Sequence, residues 1–240
     1  MNIQKMLSLV RSCADDYRML APGDRVAVGV SGGKDSLTLL RVLAELRRFH
    51  PSGFELEAIT LDMGYEEMDF GPVADLCREL EVPYTIRETQ IKQVIFDIRH
   101  EENPCALCAK MRRGALNEEA KKRGCNKVAL GHHYDDAVET FLLSLLYEGR
   151  ISCFLPVTYL DRMDLTVIRP MLYVHEKTIR SFAERAGLPV VHNPCPADKN
   201  TKREDVKQLL YELEGRYPQI KEHIFGGLQR SPLPGWKKNT

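Results

Sequence analysis

The stretch that decides the fold of this 240-residue chain is residues 25–36, RVAVGVSGGKDS. Its first six residues form a short apolar run that is typical of a buried strand. A tight turn with two adjacent glycines follows, and residues 34–48 then place leucines at helical spacing. A strand, a glycine turn and a helix in this order direct backbone N–H groups and a helix dipole at one point. The stretch therefore predicts a phosphate-binding unit.

The turn differs from two widely used phosphate-binding loops. Asp35 follows Gly33 and Lys34 where a Walker A loop requires Ser or Thr, and the glycine spacing is not that of the Rossmann fingerprint. An ordinary tight turn between a strand and a helix is the alternative interpretation. The glycines would let a phosphate approach the backbone, and Ser31 and Ser36 offer hydroxyl donors. The whole string therefore favours phosphate binding.

Outward from this unit, apolar runs alternate with helical patterns, after an amphipathic helix predicted at 2–20. Further strands are predicted at 56–61, 82–86, 127–130 and 166–168, and further helices at 73–80, 107–123, 135–147 and 175–186. This alternation predicts an α/β fold with a doubly wound, mostly parallel sheet and flanking helices at both termini. The predicted organisation is an N-terminal helix at 1–22, a main domain at 23–200 and a helical extension at 201–240. Ligands of such sheets bind beyond the carboxyl ends of the strands.

Composition excludes several classes of protein. Hydrophobic residues make up 43% and charged residues 28%, which is a globular composition and not a disordered or fibrous one. Lys and Arg together number 34, as do Asp and Glu, so net charge gives no argument for nucleic-acid binding. No apolar run approaches the roughly 18 residues of a membrane span, and the N-terminus lacks the pattern of a signal peptide. The seven cysteines then indicate metal or redox chemistry in a reducing cytoplasm.

Residues 131–136, GHHYDD, form a second informative turn, at the end of the strand predicted at 127–130. Asp135 and Asp136 fall in a first helical turn, where acids usually cap the helix. Alternatively, one of them helps to hold Mg²⁺ on the phosphates of a bound ligand, because this ion prefers carboxylates and water. Two adjacent histidines on an extended segment point opposite ways, which argues against a shared zinc ion.

Three cysteines stand in unusual contexts. Cys105 and Cys108 form a C-x-x-C at the start of a basic helix, and Cys195 lies in a proline-flanked loop. Zinc (with His192 or Asp198 completing the set), a redox dithiol and an iron–sulfur cluster are all open interpretations. Three cysteines on a 4Fe-4S cluster would leave one iron open. The remaining cysteines are interpreted as small core residues: Cys13, Cys77, Cys125 and Cys153.

Basic residues follow the C-x-x-C on the same helix. Lys110, Arg112 and Arg113 lie near its cysteine end, whereas residues 55–70 contain six acids and no base, so the neutral total hides an asymmetric charge distribution. The positive helix end and these side chains are expected to favour thiolate over thiol. Arg112 and Arg113 are candidates to face the phosphate of a nucleotide or of a nucleic acid, and a solvated helix face is the alternative.

The glycine turn resembles the PP-loop of the N-type ATP pyrophosphatases, which cleave ATP to AMP and pyrophosphate while activating an oxygen as its adenylate. With CALCAKMRR, GHHYDDAVETFLLSLLYEG, IRPML and Cys195, the chain from about 25 to 198 resembles the tRNA 2-thiocytidine synthetase family, whose fold is an adenine nucleotide alpha hydrolase-like PP-loop domain. The resemblance implies adenylation of O2 of a cytidine in a tRNA anticodon loop, followed by replacement of that oxygen by sulfur.

The resemblance also implies cofactors, partners and residue roles. It implies ATP, Mg²⁺ and a 4Fe-4S cluster on Cys105, Cys108 and Cys195, with Asp198 standing about where members commonly carry another cysteine. Implied partners are tRNA, a sulfur donor such as a cysteine desulfurase or free sulfide, and a second copy in a possible homodimer, with no membrane. Catalytic roles fall to Asp35, Asp135, Asp136 and Arg112. The implied ATP-binding residues are Ser31, Gly32, Gly33, Lys34, Asp35, Ser36, Asp62, Gly131 and His132.

Other functions fit parts of the pattern. A PP-loop ligase or thiolase acting on another nucleoside or on a small molecule would use the same glycine turn. Lysidine synthetase shares that turn, but its chemistry has no use for three cysteines. A zinc-containing nucleotide-binding module is a non-catalytic alternative, and metal analysis distinguishes it from an iron–sulfur enzyme.

Overall fold

The fold is built around one six-stranded sheet with the strand order β3-β2-β1-β4-β6-β5. The computed structural model describes residues 3–65, 68–99, 104–192, 194–195 and 202–238. The strands are β1 (Arg25–Gly29), β2 (Glu55–Asp62), β3 (Tyr84–Glu88), β4 (Lys127–Ala129), β5 (Val157–Leu160) and β6 (Leu165–Ile168). All neighbours pair in parallel except β5, which runs antiparallel to β6. The predicted fold class, doubly wound and mostly parallel, is confirmed.

Helices connect the strands and extend the chain at both ends. They are α1 (Ile3–Asp16), α2 (Lys34–Leu46), α3 (Gly71–Glu79), α4 (Pro104–Lys122), α5 (Tyr134–Glu148), α6 (Glu176–Arg185), α7 (Lys202–Arg216) and α8 (Ile220–Arg230). A short π-helical segment, Gln93–Ile98, follows β3, and a 3₁₀ turn, Asp161–Met163, joins β5 to β6. Within the described residues, no helix is long and apolar enough to cross a bilayer.

The two faces of the sheet are covered unequally. The larger core packs α1, α2, α3, α5 and α6 against one face and includes residues of α7 and α8 such as Leu210 and Phe225, together with Trp236. The smaller core places Leu116 and Ala120 of α4 against the opposite face. An ideal Cβ on Gly29 of β1 would lie 2.8 Å from the Leu116 side chain, so glycine permits this close approach of α4. The start of α4 is thereby fixed at the carboxyl edge of the sheet.

The strand order reverses between β1 and β4, where neighbouring crossovers leave a crevice at the carboxyl edge. Residues 31–36, here called the phosphate loop, follow β1 at this point, and residues 131–136, the histidine–aspartate turn, follow β4. The two predicted motifs are therefore neighbours in the fold. The antiparallel strand β5 was not predicted, because four residues at a sheet edge carry little periodic signal.

Candidate active site

The phosphate loop is fastened by its own serines. The Ser36 hydroxyl donates to the Gly33 carbonyl oxygen (2.9 Å) and accepts a hydrogen bond from the Ser31 backbone N–H (3.1 Å). The two serine oxygens lie 3.1 Å apart, and the Gly33 N–H donates to the Ser31 oxygen (3.3 Å). Ser36 is buried and so serves to hold the loop, whereas Ser31 is exposed at its surface. The loop thus has its shape before any phosphate arrives.

Two glycines allow the loop to contact its neighbours closely. Gly32 has φ +82°, a left-handed conformation, and its ideal Cβ would lie 2.9 Å from Cβ of Val191. The Val191 N–H donates to the Gly32 carbonyl oxygen (2.9 Å), which ties the segment leading to Cys195 directly to the phosphate loop. On the other side, an ideal Cβ on Gly131 would lie 3.2 Å from the backbone of Asp35. The loop is therefore enclosed by the β4 end and the Cys195 segment.

The histidine–aspartate turn caps α5. The His133 N–H donates to the Asp136 carboxylate (2.9 Å), and the Asp136 N–H donates to His133 Nδ1 (3.4 Å), which forms a capping box. His133 Nε2 also lies 3.8 Å from the Asp35 carboxylate. Burial acts to raise the pKa of the Asp136 carboxyl group. The electrostatic interaction with His133, the hydrogen bond from the backbone N–H of His133 and the nearby Arg203 outweigh burial and lower this pKa. Asp136 is accordingly held as a carboxylate beside the phosphate loop.

The C-terminal helices supply cations to both aspartates of this turn. Arg203 at the start of α7 donates to Asp136 (2.7 Å), to Glu139 (3.3 Å) and to Thr140 (3.2 Å). Lys221 of α8 donates to Asp135 (3.2 Å), whose other oxygen accepts the N–H of Glu176 (2.7 Å). The extension predicted at 201–240 is therefore part of the site.

Lys34 of the phosphate loop is neutralised by two carboxylates. Its ammonium group lies 3.0 Å from Asp35 and 3.1 Å from Glu176 at the start of α6. Burial acts to lower the pKa of Lys34, but the two carboxylates raise it overall. Conversely, burial opposes ionisation of Glu176, while Lys34 lowers the pKa of its carboxyl to about 2. Lys34 therefore stays protonated, and its positive charge is balanced by the two carboxylates at the phosphate loop.

The three predicted cysteine ligands gather at the same edge. Cys105 is exposed, while Cys108 and Cys195 are half-buried. The Cys108 thiol interacts electrostatically with both other thiols and with Arg112, which also donates a hydrogen bond to it. The Tyr65 hydroxyl, just beyond β2, hydrogen-bonds with Cys195 and lies near Cys108. Residues 103, 193 and 196–201 lie outside the described residues, so the structure says nothing of Asp198.

The expected preference of these cysteines for the thiolate form is wrong for Cys108. Burial raises the pKa of its thiol, and the neighbouring Cys195 and Cys105 raise it further, against the lowering effect of Arg112. Desolvation thus outweighs the nearby guanidinium group. Burial also raises the pKa values of Cys77 and Cys153 to about 12 and of Cys125 to about 11. Cys77 and Cys125 are buried, as predicted, whereas Cys153 is only partly so.

Two predicted ATP-binding residues lie at the border of the site. Asp62, at the end of β2, accepts the N–H of Gly64 (2.8 Å). His132 packs its ring against Phe154, with 4.8 Å between centroids, and its Nδ1 has no hydrogen-bond partner among the described residues. Burial, with a contribution from Arg169, lowers the pKa of His132 to about 4, so this imidazole is neutral at pH 7. Within the described residues, no three His, Cys, Asp or Glu side chains are arranged to share one metal ion.

Sequence reasoning missed several residues that complete the site. Glu176, Arg203 and Lys221 contact the predicted aspartates or Lys34, and Tyr65 contacts Cys195. An acid at the start of a predicted helix was a usable signal for Glu176. Arg203 and Lys221 carried none, because they belong to an extension whose docking position the sequence did not reveal.

Comparison with known proteins agrees with this geometry. The PP-loop domain family matches residues 3–214. A tRNA-cytidine(32) 2-sulfurtransferase of Pelobacter propionicus is 40% identical over 94% of this chain and 85% of its own length. A tRNA-cytidine(32) 2-sulfurtransferase of Geobacter sulfurreducens is 39% identical over 94% of this chain and 89% of its own length.

Solved structures show the same architecture. The U34-tRNA thiolase NcsA from Methanococcus maripaludis, solved with its 4Fe-4S cluster, aligns with a TM-score of 0.77 and 25% identity. The alignment covers 94% of this chain and 76% of that one. An NMN synthetase from Francisella tularensis, with a TM-score of 0.53 and 15% identity over 92% of this chain and 89% of its own, shows the fold alone.

A glycine turn after β1, the neighbouring histidine–aspartate turn and the family match define a protein of the PP-loop class. The resemblance found in the motifs is thereby confirmed. Identity near 40% over 94% of the chain narrows the class further. This chain belongs to the tRNA-cytidine(32) 2-sulfurtransferase family.

Proposed function

We propose that this chain is an ATP-dependent tRNA sulfurtransferase that converts a cytidine of the anticodon loop to 2-thiocytidine. O2 of the cytidine would attack the α-phosphorus of ATP, releasing pyrophosphate. A sulfur nucleophile would then attack C2, and AMP would leave with the original oxygen. An amide-type oxygen is a poor leaving group, whereas its AMP ester is a good one. Both relatives described in the preceding subsection are named tRNA-cytidine(32) 2-sulfurtransferase, which is an activity of this type.

One observation carries the proposal. The Val191 N–H donates to the Gly32 carbonyl oxygen (2.9 Å), four residues before Cys195 in the chain. A phosphate loop and a cysteine-bearing segment that are hydrogen-bonded to each other can act on the same nucleotide in turn. Two successive reactions, first at O2 and then at C2 of one base, need this proximity, because the adenylated base would otherwise have to move between sites.

At the phosphate side, the chain's own residues orient ATP and the metal. We assign Ser31, Gly32, Gly33 and Lys34 to the phosphates, with Ser36 holding the loop, and Asp62, Gly131 and His132 to the border of the nucleotide site. Asp35, with its side chain 33% exposed, is the more accessible candidate for Mg²⁺, beside Asp136. Asp135 accepts hydrogen bonds on both oxygens, so we assign it to orientation of α6 and α8.

At the cysteine side, the donor set fits an iron–sulfur group. Three thiols from two segments of the chain interact electrostatically, and cysteine thiolates are the usual ligands of iron–sulfur clusters. Cys105, Cys108 and Cys195 would hold a 4Fe-4S cluster, with Arg112 beside Cys108. When bound, the cluster would supply an iron without a protein thiolate that is open to sulfur. Asp198 as a further ligand stays a prediction.

The finer predictions on partners belong to the same proposal. The sulfur would come from a cysteine desulfurase or from free sulfide, Mg²⁺ would accompany ATP, and the protein would act in the cytoplasm. Formation of a homodimer stays a prediction. Each follows from the reaction chemistry or from the resemblance. None is needed for the test below.

The test combines metal analysis with product analysis. Anaerobically purified protein is assayed for iron and sulfide and then incubated with ATP, Mg²⁺, sulfide and an anticodon stem-loop RNA carrying cytidine at position 32. We expect equimolar AMP and 2-thiocytidine by nucleoside mass spectrometry, and pyrophosphate as the other product. Cys195→Ala should lose iron and sulfide together, while the control Cys125→Ala keeps both.

Three outcomes would overturn the proposal. ADP and phosphate as products would contradict adenylation. Stoichiometric zinc without iron or sulfide after reconstitution would leave only a nucleotide-binding module. AMP and pyrophosphate formed without any thiolated nucleoside would indicate a PP-loop ligase or thiolase acting on another acceptor.

A further inference from the structure

The basic residues of α4 fall into two groups that differ in their partners. Toward the C-terminal end of the helix and in the residue that follows it, two of the cations pair with an acid or contact a backbone oxygen. Arg123 lies 3.1 Å from Glu119, Lys121 donates to the backbone oxygen of Asp164 (2.9 Å), and Glu118 accepts from Arg87 of β3 (2.8 Å). These contacts account for most of the charge at that end as ordinary surface pairing.

The first half of α4 is different. Lys110 and Arg113 lie one helical turn apart, both exposed, and neither has a carboxylate partner within the described parts of the chain. The one hydrogen bond that Arg113 makes there is from Nε to the Ala109 carbonyl oxygen of its own helix (3.3 Å). Arg112 between them faces Cys108. Lys110 and Arg113 are here called the basic surface.

A further guanidinium group, that of Arg169, adds positive charge near Arg113. Arg169, at the end of β6, is 8% exposed and stands over the Phe154 ring at 5.0 Å. It donates to the Leu155 carbonyl oxygen (2.6 Å) and to the Thr158 hydroxyl (3.3 Å), but its Nε has no hydrogen-bond partner among the described residues. Burial, with a smaller contribution from the positive charge of nearby Arg113, lowers the pKa of Arg169 to about 10.

Like charges held close together cost free energy unless an anion lies between or beside them. Lys110 and Arg113 lie on the turns of α4 that follow Cys105 and Cys108, so their uncompensated charge is close to the predicted cysteine ligands. A phosphodiester backbone is an anion that presents repeated charges to such a surface and is held by exposed Lys and Arg side chains.

We propose that Lys110 and Arg113 bind the phosphodiester backbone of the RNA substrate next to the nucleotide that is modified, with Arg169 as a further fixed positive charge near Arg113. The inference rests on the proposed function, because it assumes that the substrate is RNA. These contacts position the strand beside the cysteines and do not read its sequence. ATP is bound elsewhere, at the phosphate loop.

The test measures RNA affinity and its salt dependence. A double variant, Lys110→Ala with Arg113→Ala, is compared with a double variant of equal charge change, Lys122→Ala with Arg185→Ala. The control cations lie in the last turns of α4 and α6, whereas Cys105 of α4 and Glu176 of α6 lie in the first turns of these helices. The probe is a fluorescent anticodon stem-loop RNA carrying cytidine at position 32, titrated by anisotropy between 50 and 200 mM salt, with ATP affinity measured in parallel.

We expect the basic-surface variant to bind the RNA roughly tenfold more weakly, with unchanged ATP affinity. The slope of log affinity against log salt should fall by about 0.7–0.9 for each lost phosphate contact, so by about 1.5 in total. The control variant should keep the slope and affinity of the wild type. These results together would support the inference.

Other results would overturn it, and they separate it from the proposed function. RNA affinity equal to wild type, or an equal loss in the control, would show that the basic surface is not the RNA contact. A loss of ATP affinity would assign Arg113 to the nucleotide instead. If the wild type thiolates the RNA while either result holds, the inference alone fails. If the wild type neither binds nor thiolates RNA, the proposed function fails with it.

Discussion

The phosphate side of the site and its cysteine side differ in how far the chain neutralises its own charges. At the phosphate side, Lys34 contacts Asp35 and Glu176, and Asp136 contacts Arg203. At the cysteine side, Lys110 and Arg113 have no carboxylate partner among the described residues. The first region keeps its shape through its own hydrogen bonds and ion pairs, and so is organised before a substrate arrives. The second has charges that only a bound group or an RNA strand would neutralise.

The phosphate side and the cysteine side also differ in how deeply their residues are buried. Glu139, His133 and Asp135 are each at most 7% exposed, so the phosphate side has its titratable groups within the protein, where their interactions are strong. Cys105 is exposed, and Cys108 and Cys195 are half-buried. Mutations at the phosphate side should therefore disturb a network, whereas those at the cysteine side should remove single contacts. The predictions below test this difference, beginning with the largest effect.

Gly33→Val should abolish ATP binding while the fold survives. Gly33 has φ −77° and ψ 158°, which valine accepts, and an ideal Cβ there meets only the Ser31 oxygen, at 3.5 Å. The branched side chain would occupy the space that a phosphate needs. We expect RNA-dependent AMP formation to fall by roughly 10³-fold or more, comparable with loss of a major electrostatic contact. Unfolding temperature should stay close to that of the wild type.

The matched control is Gly227→Val, at an exposed position of α8 where no atom lies within 4 Å of an added Cβ. It should leave both ATP binding and unfolding unchanged. Full ATP affinity in Gly33→Val would mean that the phosphates do not contact this loop.

Asp35→Asn and Asp136→Asn should each lower turnover by about 10²-fold, if these carboxylates stabilise charge in the transition state. Asn keeps the shape and the hydrogen-bonding capacity of Asp, so capping of α5 by Asp136 should be largely retained. Turnover is measured against Mg²⁺ concentration, and we expect the half-saturating concentration to rise. Asp75→Asn on the surface of α3 is the control. Losses of only a few-fold at both sites would reduce the two aspartates to structural roles.

Arg203→Met should lower turnover by about ten- to a hundred-fold, because Asp136 loses the guanidinium that fixes its position. Arg203 is a positioning residue, so the expected loss is in kcat with a smaller change in the KM for ATP. Arg203→Lys restores a charge without the forked geometry and should recover part of the rate. Arg216→Met, at the other end of α7, is the control. Equal losses in both Arg203 variants together with a lowered unfolding temperature would indicate a purely structural contact.

How much of this arrangement the sequence could predict depends on whether the contacts lie within one motif. The phosphate loop and the histidine–aspartate turn were predicted from their own residues, since each is a short strand–turn–helix unit with local chemistry. The fold class followed from the alternation of such units. Glu176 and Arg203 reach the site from helices far along the chain, and no local pattern states where a helix will dock.

The error about Cys108 has a related physical cause. Helix position and basic neighbours predicted a thiolate, and both features are present in the structure. Burial of the thiol by the surrounding chain has the opposite effect and is larger. Desolvation depends on tertiary packing, which the sequence around a single helix start does not contain. The edge strand β5 was missed for the same reason, since its pairing with β6 decides its conformation.

The smallest predicted effect concerns Glu139, a residue that is 3% exposed. Burial raises its pKa from 4.5 to about 7, Asp136 and Asp135 raise it as well, and Lys207 and Arg203 oppose them. Between pH 4.5 and about 7, the folded protein therefore binds a proton that the unfolded chain has released. Stability from this group is present below pH 4.5 and is lost as pH rises through this window, by at most about 1.4 kcal/mol per pH unit.

Glu139→Gln cannot ionise, so its free energy of unfolding should not show this decrease. The difference in stability between variant and wild type should therefore grow in favour of the variant as pH rises from 5 to 8, measured by urea unfolding at about five pH values. Glu148→Gln, exposed at the end of the same helix, should run parallel to the wild type across that range. A Glu139→Gln curve parallel to that of the wild type would show that Arg203 keeps Glu139 ionised throughout. In that case the phosphate side would neutralise its buried charges even more completely than the contrast with the cysteine side requires.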